Sequence, residues 1–182
     1  MKHQAYAESA NIPFLITYPG MGTNAGKTAE AEITTPDILS SLLALCNIDI
    51  PNSIEGYDLS HIMREPELEK DRAALFMNPC PFEIAISDDE YRALKTSKYT
   101  YVKTPKGASM LFNDIADPLQ MNNLIEDSLY TDVQNELDAK LKVELERIGE
   151  TEVRPRAYYL KKFGFEGKKE FRKESVALGW DE

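Results

Sequence analysis

Residues Ile12-Pro13-Phe14-Leu15-Ile16-Thr17-Tyr18 form a nearly continuous apolar run, ended by Pro19-Gly20. No other stretch constrains the fold as much. Its length suits a strand and falls far short of the roughly 20 residues of a membrane-crossing helix. Its lack of alternation predicts a strand buried on both faces of a parallel or mixed sheet. Such a strand needs a neighbour on each side, and no clear neighbour occurs in the next sixty residues. The chain is therefore expected not to be self-sufficient, with an open edge that drives self-association or demands a partner.

The chain of 182 residues has the size of one domain or a large piece of one. Its 42% hydrophobic and 29% charged residues are ordinary for a globular protein, which excludes a disordered tail, a collagen-like chain and a fibrous helix. The N-terminus lacks the charged-then-apolar pattern of a signal peptide, so no secretion signal is expected in this chain, and the compartment stays open. Cys46 and Cys80 have no metal-ligand spacing and are expected to be buried thiols. The net charge of −10 is uneven. Between Arg154 and Lys173, eight basic residues (Arg154, Arg156, Lys161, Lys162, Lys168, Lys169, Arg172, Lys173) face only Glu166 and Glu170. That stretch carries +6 and the other 162 residues −16. An acidic body excludes general nucleic-acid binding, because it repels phosphates over most of its surface.

Met21 to Lys27 reads as a loop, and Glu32-Ile33-Thr34 as a short edge strand. Thr35, Pro36 and Asp37 predict a helix start with Thr35 as cap, and Ile38 to Cys46 repeat at helical spacing on more than one face, which predicts a well-covered helix. Residues 47–66 look irregular. Ala73–Phe76, Tyr91–Leu94, Tyr99–Lys103 and Met110–Phe112 predict short antiparallel strands. Asp117-Pro118 opens a helical turn. Thr131 starts a longer helix, with Gln134 placed for a capping box. Val133, Leu137, Leu141, Leu145 and Ile148 form its one apolar stripe, and Gly149 ends it.

Five stretches, in order, resemble the C-terminal part of the type I sulfatases, in the alkaline-phosphatase-like superfamily. Lys2-His3-Gln4-Ala5-Tyr6-Ala7-Glu8-Ser9 with Ile12-Pro13 is similar to K-x-x-x-Y-E-E-S-x-x-x-P. Thr34-Thr35-Pro36-Asp37-Ile38 with Leu42-Leu43 resembles T-x-D-I-x-P-T-L-L. Ile54 to Leu59 resembles I-x-G-x-S-L. Tyr91 to Thr96 with Lys98-Tyr99 resembles R-x-x-x-T-x-x-Y-K-Y. Leu111 to Asp114, with Asp117-Pro118 and Asn123-Leu124, resembles L-Y-D-L-x-x-D-P-x-E-x-x-N-L. The resemblance fades after about Ile125. Ala7 replaces the first Glu of Y-E-E-S, and Asn11 replaces an Arg common before the hydrophobic-Pro step.

The resemblance implies an α/β, alkaline-phosphatase-like fold, here only the final part of the core domain plus a C-terminal α+β subdomain (a short antiparallel sheet with a packed helix). The expected divisions are residues 1–65 for the end of the core, 66–150 for the sheet and helix, and 151–182 for a basic, aromatic-rich tail. The family's formylglycine arises in a C/S-x-P-S-R segment, and neither Cys46 nor Cys80 lies in one. Its calcium or magnesium site uses aspartates of segments that precede the lysine motif. The resemblance therefore implies no cofactor within this chain, with calcium or magnesium in the intact enzyme. Lys2 is the one catalytic position it carries over, as the sulfate contact. A fixed ammonium there stabilises charge that builds on the sulfuryl and leaving oxygens.

These readings imply a C-terminal portion of a sulfate-ester hydrolase, without turnover on its own. Its expected partners are a sulfate ester, such as a sulfated glycan, and either the N-terminal sulfatase portion or a second copy. No nucleic acid and no membrane span are expected. The alternatives are a non-catalytic module that binds an acidic glycan or a partner protein, and a phosphatase or phosphodiesterase of the same superfamily. His3 neighbours Lys2 and is a candidate substrate contact, although a lone histidine, His61 included, is more often a surface or packed side chain. Lys161 and Lys162 are candidate glycan contacts in a tail that also holds Tyr158, Tyr159, Phe163, Phe165 and Phe171. The plainer alternative packs those rings on the acidic body and leaves the lysines in solvent. Asp88-Asp89-Glu90 reads as a solvated turn, and Gly20 to Thr28 as a flexible loop that lacks the phosphate-loop glycine at Met21.

Overall fold

A computed structural model describes residues 4–20, 22–69, 72–79, 90–150, 152–154 and 156–164. Lys2, His3, Cys80, Asp88, Asp89 and the tail beyond Gly164 lie outside the described residues.

The centre is a four-stranded antiparallel meander: β1 (Ala74–Asn78), β2 (Tyr91–Lys95), β3 (Tyr99–Thr104) and β4 (Gly107–Asn113), in that spatial order. The β2–β3 turn is closed by Thr96, whose hydroxyl accepts the Tyr99 N–H at 2.9 Å. Gly107, with φ of 122°, closes the β3–β4 turn, where a side chain would be strained.

Alternation along the strands gives the sheet two unlike faces. Leu94, Tyr101 and Leu111 pair across β2, β3 and β4 and point to one side. There they meet Leu137, Leu141 and Leu145 of α4 (Thr131–Arg147), spaced at i, i+4, i+8 on one helix stripe. Each of these buried leucines contributes about 2 kcal/mol of apolar burial. Gly149, with φ of 76°, ends the helix as its spacing predicts. Gln134 makes no capping box. Its amide donates to the Ile125 carbonyl at 2.8 Å and ties the preceding loop to the helix. The opposite face carries Ala93, Val102, Met110 and Phe112, and it is covered by the N-terminal segment.

That segment departs from expectation. α1 spans Ala7–Ala10, but residues 11–18 form no strand. Ile12 and Leu15 are 68% and 89% exposed, and Phe14 is exposed as well. An apolar run becomes a buried strand only where backbone partners and covering side chains exist, and the described residues supply no strand partner and leave Ile12, Phe14 and Leu15 uncovered. Residues 32–34 likewise stay outside any sheet.

α2 (Thr35–Leu45) begins one residue earlier than predicted, at the expected cap itself. Thr34, not Thr35, is the N-cap, and its N–H and hydroxyl both donate to Asp37 Oδ2, at 2.8 and 2.6 Å. The helix is not well covered: Leu39 and Leu42 are exposed, for the same reason as the apolar run. The stretch read as irregular contains α3 (Ser60–Arg64), and the tail contains α5 (Arg156–Lys162). No helix among the described residues is long and apolar enough to cross a membrane.

Candidate functional site

The sequence points to Lys2 and His3, which lie outside the described residues, and the structure shows how residues 5–7, which follow them, are held. Ala5 is buried against Ala93 and Val102 on the sheet face. The Tyr6 ring lies 5.7 Å from the Phe112 ring. The Ala7 N–H, unsatisfied at the start of a helix, donates to Gln120 Oε1 at 2.7 Å. Gln120 Nε2 donates to Asp114 Oδ1 at 2.6 Å and to Thr100 Oγ1 at 3.1 Å. The Thr100 hydroxyl donates to Asp114 Oδ2 at 2.6 Å, and Lys95 Nζ lies 3.1 Å from that oxygen. Lys95 also lies 3.8 Å from Glu32, whose carboxyl is pushed up by burial and by Asp114 against the pull of Lys95 and Arg72.

Gln120 reaches Ala7 because its backbone is left-handed, with φ of 53°. The turn that holds it there has the Gln120 N–H on the Asp117 carbonyl at 3.0 Å. Asp117, its carboxyl held below the usual range by backbone N–H donors, caps the turn at the Asn122 N–H, 2.7 Å away. Lys2 precedes this clamped segment by two residues.

A second cluster centres on buried Asp37. Its Oδ1 accepts the Tyr57 N–H at 2.8 Å, and its Oδ2 lies 2.9 Å from an Arg72 nitrogen. The loop approaches closely enough because residue 56 is glycine: a Cβ there would sit 2.0 Å from the Pro36 carbonyl oxygen. The Tyr57 ring lies between the Arg72 and Arg147 guanidiniums, 5.1 and 4.3 Å from its centroid, and its hydroxyl reaches Glu144 at 3.0 Å. This cluster joins α2 to α4. Its carboxylates are saturated with internal donors, so it holds structure and has no group free for chemistry.

His61 is exposed and pairs with Glu69 at 2.9 Å, so it is a surface side chain. Cys46 is exposed, against expectation, because the side of α2 it sits on is uncovered. Among the described residues no three His, Cys, Asp or Glu side chains converge to hold a metal ion, and the buried carboxylates already have donors. The described residues thus do not fit the metal site of an intact enzyme.

Lys161 and Lys162 lie exposed on α5. The two readings of the tail rings divide there: Tyr159 is buried, whereas Tyr158 and Phe163 are exposed. Below α5, fully buried Arg92 forms a two-pronged pair with Glu150 at 2.6 and 2.8 Å, and both groups bond the Tyr159 hydroxyl. Burial disfavours the Glu150 charge, but Arg92 and Tyr159 outweigh it and hold the carboxyl below its ordinary range. Burial and then Glu150 push the Tyr159 phenol up to about 12. Sequence reading missed Gln120, Asp114 and Arg92. The one signal for Gln120 was the Asp117-Pro118 turn. The motif it resembles has Leu where this chain has Asp114 and Glu where it has Gln120. An amide is what a neighbouring carboxylate requires, so the two departures complement each other.

The model of the family described as N-sulphoglucosamine sulphohydrolase, C-terminal, matches residues 1–147. The chain is 49% identical over 164 residues to an ulvan-active sulfatase of Formosa agariphila, covering 90% of this chain and 32% of that one. It is 30% identical over 139 residues to an endo-4-O-sulfatase of Bacteroides thetaiotaomicron, covering 68% and 27%. The fold matches that of the yidJ protein of Bacteroides fragilis, solved as a candidate sulfatase, with a TM-score of 0.52 at 25% identity over 63% of this chain and 25% of that one. The chain thus spans 32% and 27% of the curated relatives it matches.

Proposed function

We propose that this chain, which belongs to the type I sulfatase family as its C-terminal portion, serves the hydrolysis of sulfate esters on a glycan, with Lys2 as its contact to the sulfate. The observation that carries the reading is the 49% identity to an ulvan-active sulfatase across 90% of the chain. The same relative favours sulfate over phosphate esters as the substrate class.

In this reading residues 1–65 end the core domain, residues 66–150 form the sheet-and-helix subdomain, and residues 151–182 form the basic tail. Hydrolysis needs a nucleophile and a metal, and these come from polypeptide that carries a C/S-x-P-S-R segment. That polypeptide covers the exposed side of Ile12, Phe14 and Leu15 and the outer face of α2 at Leu39 and Leu42. A cavity of about 600 Å³ lies between the apolar run and α3, lined by Phe14, Ile16, Leu59, Ile62 and Met63. This chain contributes one cation and its support. The ammonium of Lys2 meets the charge that builds on the sulfuryl oxygens, and the Gln120 clamp fixes the chain at Ala7, five residues further on. His3, its neighbour in the sequence, is a further substrate contact in this reading.

The test is an aryl-sulfate assay. The purified chain alone shows no turnover, and an enzyme containing both portions loses at least about a hundredfold in kcat on Lys2→Ala. Turnover by this chain alone, or full activity of the Lys2→Ala enzyme, overturns the reading.

A further inference from the structure

We infer that α5 and its flanks form a docking platform for a strand of sulfated polysaccharide. The inference rests on the reading of the substrate as a glycan sulfate ester and adds where a neighbouring stretch of that glycan is held.

A helix of seven residues is not stable alone. α5 is ordered because Tyr159 enters the buried Arg92–Glu150 pair, which pins one side of the helix to β2. Pinning that side turns Tyr158 outward, edge-on to Tyr159 at 5.3 Å. Tyr158 and Phe163 are 39% and 62% exposed. The Lys162 ammonium lies between them, 5.9 and 5.7 Å from the two ring centroids. The Arg154 guanidinium lies 5.0 Å from the Tyr158 centroid and pairs with Glu152 at 2.7 Å. Lys161 and Lys162 form no ion pair among the described residues.

Rings and cations are thus interleaved on one surface and already held in place, which lowers the ordering cost of binding. An exposed ring offers a flat apolar face to the C–H face of a sugar, and an ammonium beside it meets a sulfate. The charge distribution selects the occupant. The stretch from Arg154 to Lys173 carries +6 on a chain whose remainder carries −16. A broad duplex polyanion meets that acidic remainder and is repelled, whereas a single glycan strand can reach Lys161 and Lys162 on α5 without spanning it.

The test is affinity electrophoresis and titration calorimetry of the chain with dextran sulfate, unsulfated dextran, polyphosphate and duplex DNA. Dextran sulfate binds, with an affinity that falls as salt rises, and dextran does not. Lys161→Ala with Lys162→Ala weakens dextran sulfate binding about tenfold, roughly 1.4 kcal/mol. Tyr158→Ala with Phe163→Ala weakens dextran sulfate binding at least about threefold and leaves polyphosphate binding unchanged. All four side chains are exposed, so circular dichroism of each variant matches the parent. No binding of dextran sulfate overturns the inference, as does duplex DNA bound equally well or an unchanged affinity in either double variant. Binding is read without turnover, so a failure here leaves the Lys2 reading standing, and an inactive enzyme leaves the platform standing.

Discussion

Gln120→Glu tests the clamp with a change of one atom's chemistry and almost none of shape. The new carboxylate still accepts the Ala7 N–H, as Gln120 Oε1 does at 2.7 Å. Where Nε2 donated to Asp114 Oδ1 at 2.6 Å, an oxygen now faces an oxygen. Two carboxylates cannot both stay ionised at that distance, so the introduced group must hold a proton. An ordinary glutamic acid ionises near pH 4.3, and keeping it protonated at pH 7 costs up to about 3.7 kcal/mol. Lys95, 3.1 Å from Asp114, offsets part of this and leaves about 2–3 kcal/mol. For a chain of this size that is a fall of about 5–10 °C in Tm. The sign follows from linkage. The acid's folded pKa is raised, so the penalty is absent below its unfolded pKa and grows as pH rises towards the folded one. Thermal unfolding followed by circular dichroism from pH 4 to pH 8 reads it directly. Gln120→Ala loses all three hydrogen bonds and serves as the reference, with a deficit of about 2–4 kcal/mol that changes little with pH. A Gln120→Glu deficit equally large at pH 4 and pH 8, or none at either, would show that the Gln120–Asp114 contact does not hold this segment.

The α5 anchor carries its own pH window: Tyr159 supports it fully below about pH 10 and loses that support as pH rises through about 12, while Glu150 supports it above the ordinary carboxylate range and loses that support as pH falls through its lowered pKa. Tyrosinate absorbance checks this, since Tyr159→Phe should remove one phenol that titrates near pH 12 and not one near pH 10. Gly56→Ala places a methyl 2.0 Å from the Pro36 carbonyl oxygen, forces the loop away and breaks the Tyr57–Asp37 bond. The expected loss is about 3 kcal/mol or more, read from the urea midpoint. Glu32→Gln removes a carboxylate that burial disfavours, so it should raise Tm at pH 7 and leave it unchanged near pH 4.

What could be read from the residues alone was local. The period-four leucines of α4, the short alternating strands and the glycine at position 149 each state their structure through spacing or backbone freedom, and all three form as expected. Five short motifs in order were enough to place the chain in its family. Three things waited for the tertiary structure. Gln120 and Asp114 meet only because the turn after β4 brings them against β3, and nothing in their spacing announces a clamp on Ala7. Arg92 sits on a strand like any surface arginine, yet Glu150 and Tyr159 bury it. The apolar run at Ile12–Tyr18 reads as a buried strand, and it lies open because burial belongs to a strand's neighbours as much as to its own side chains.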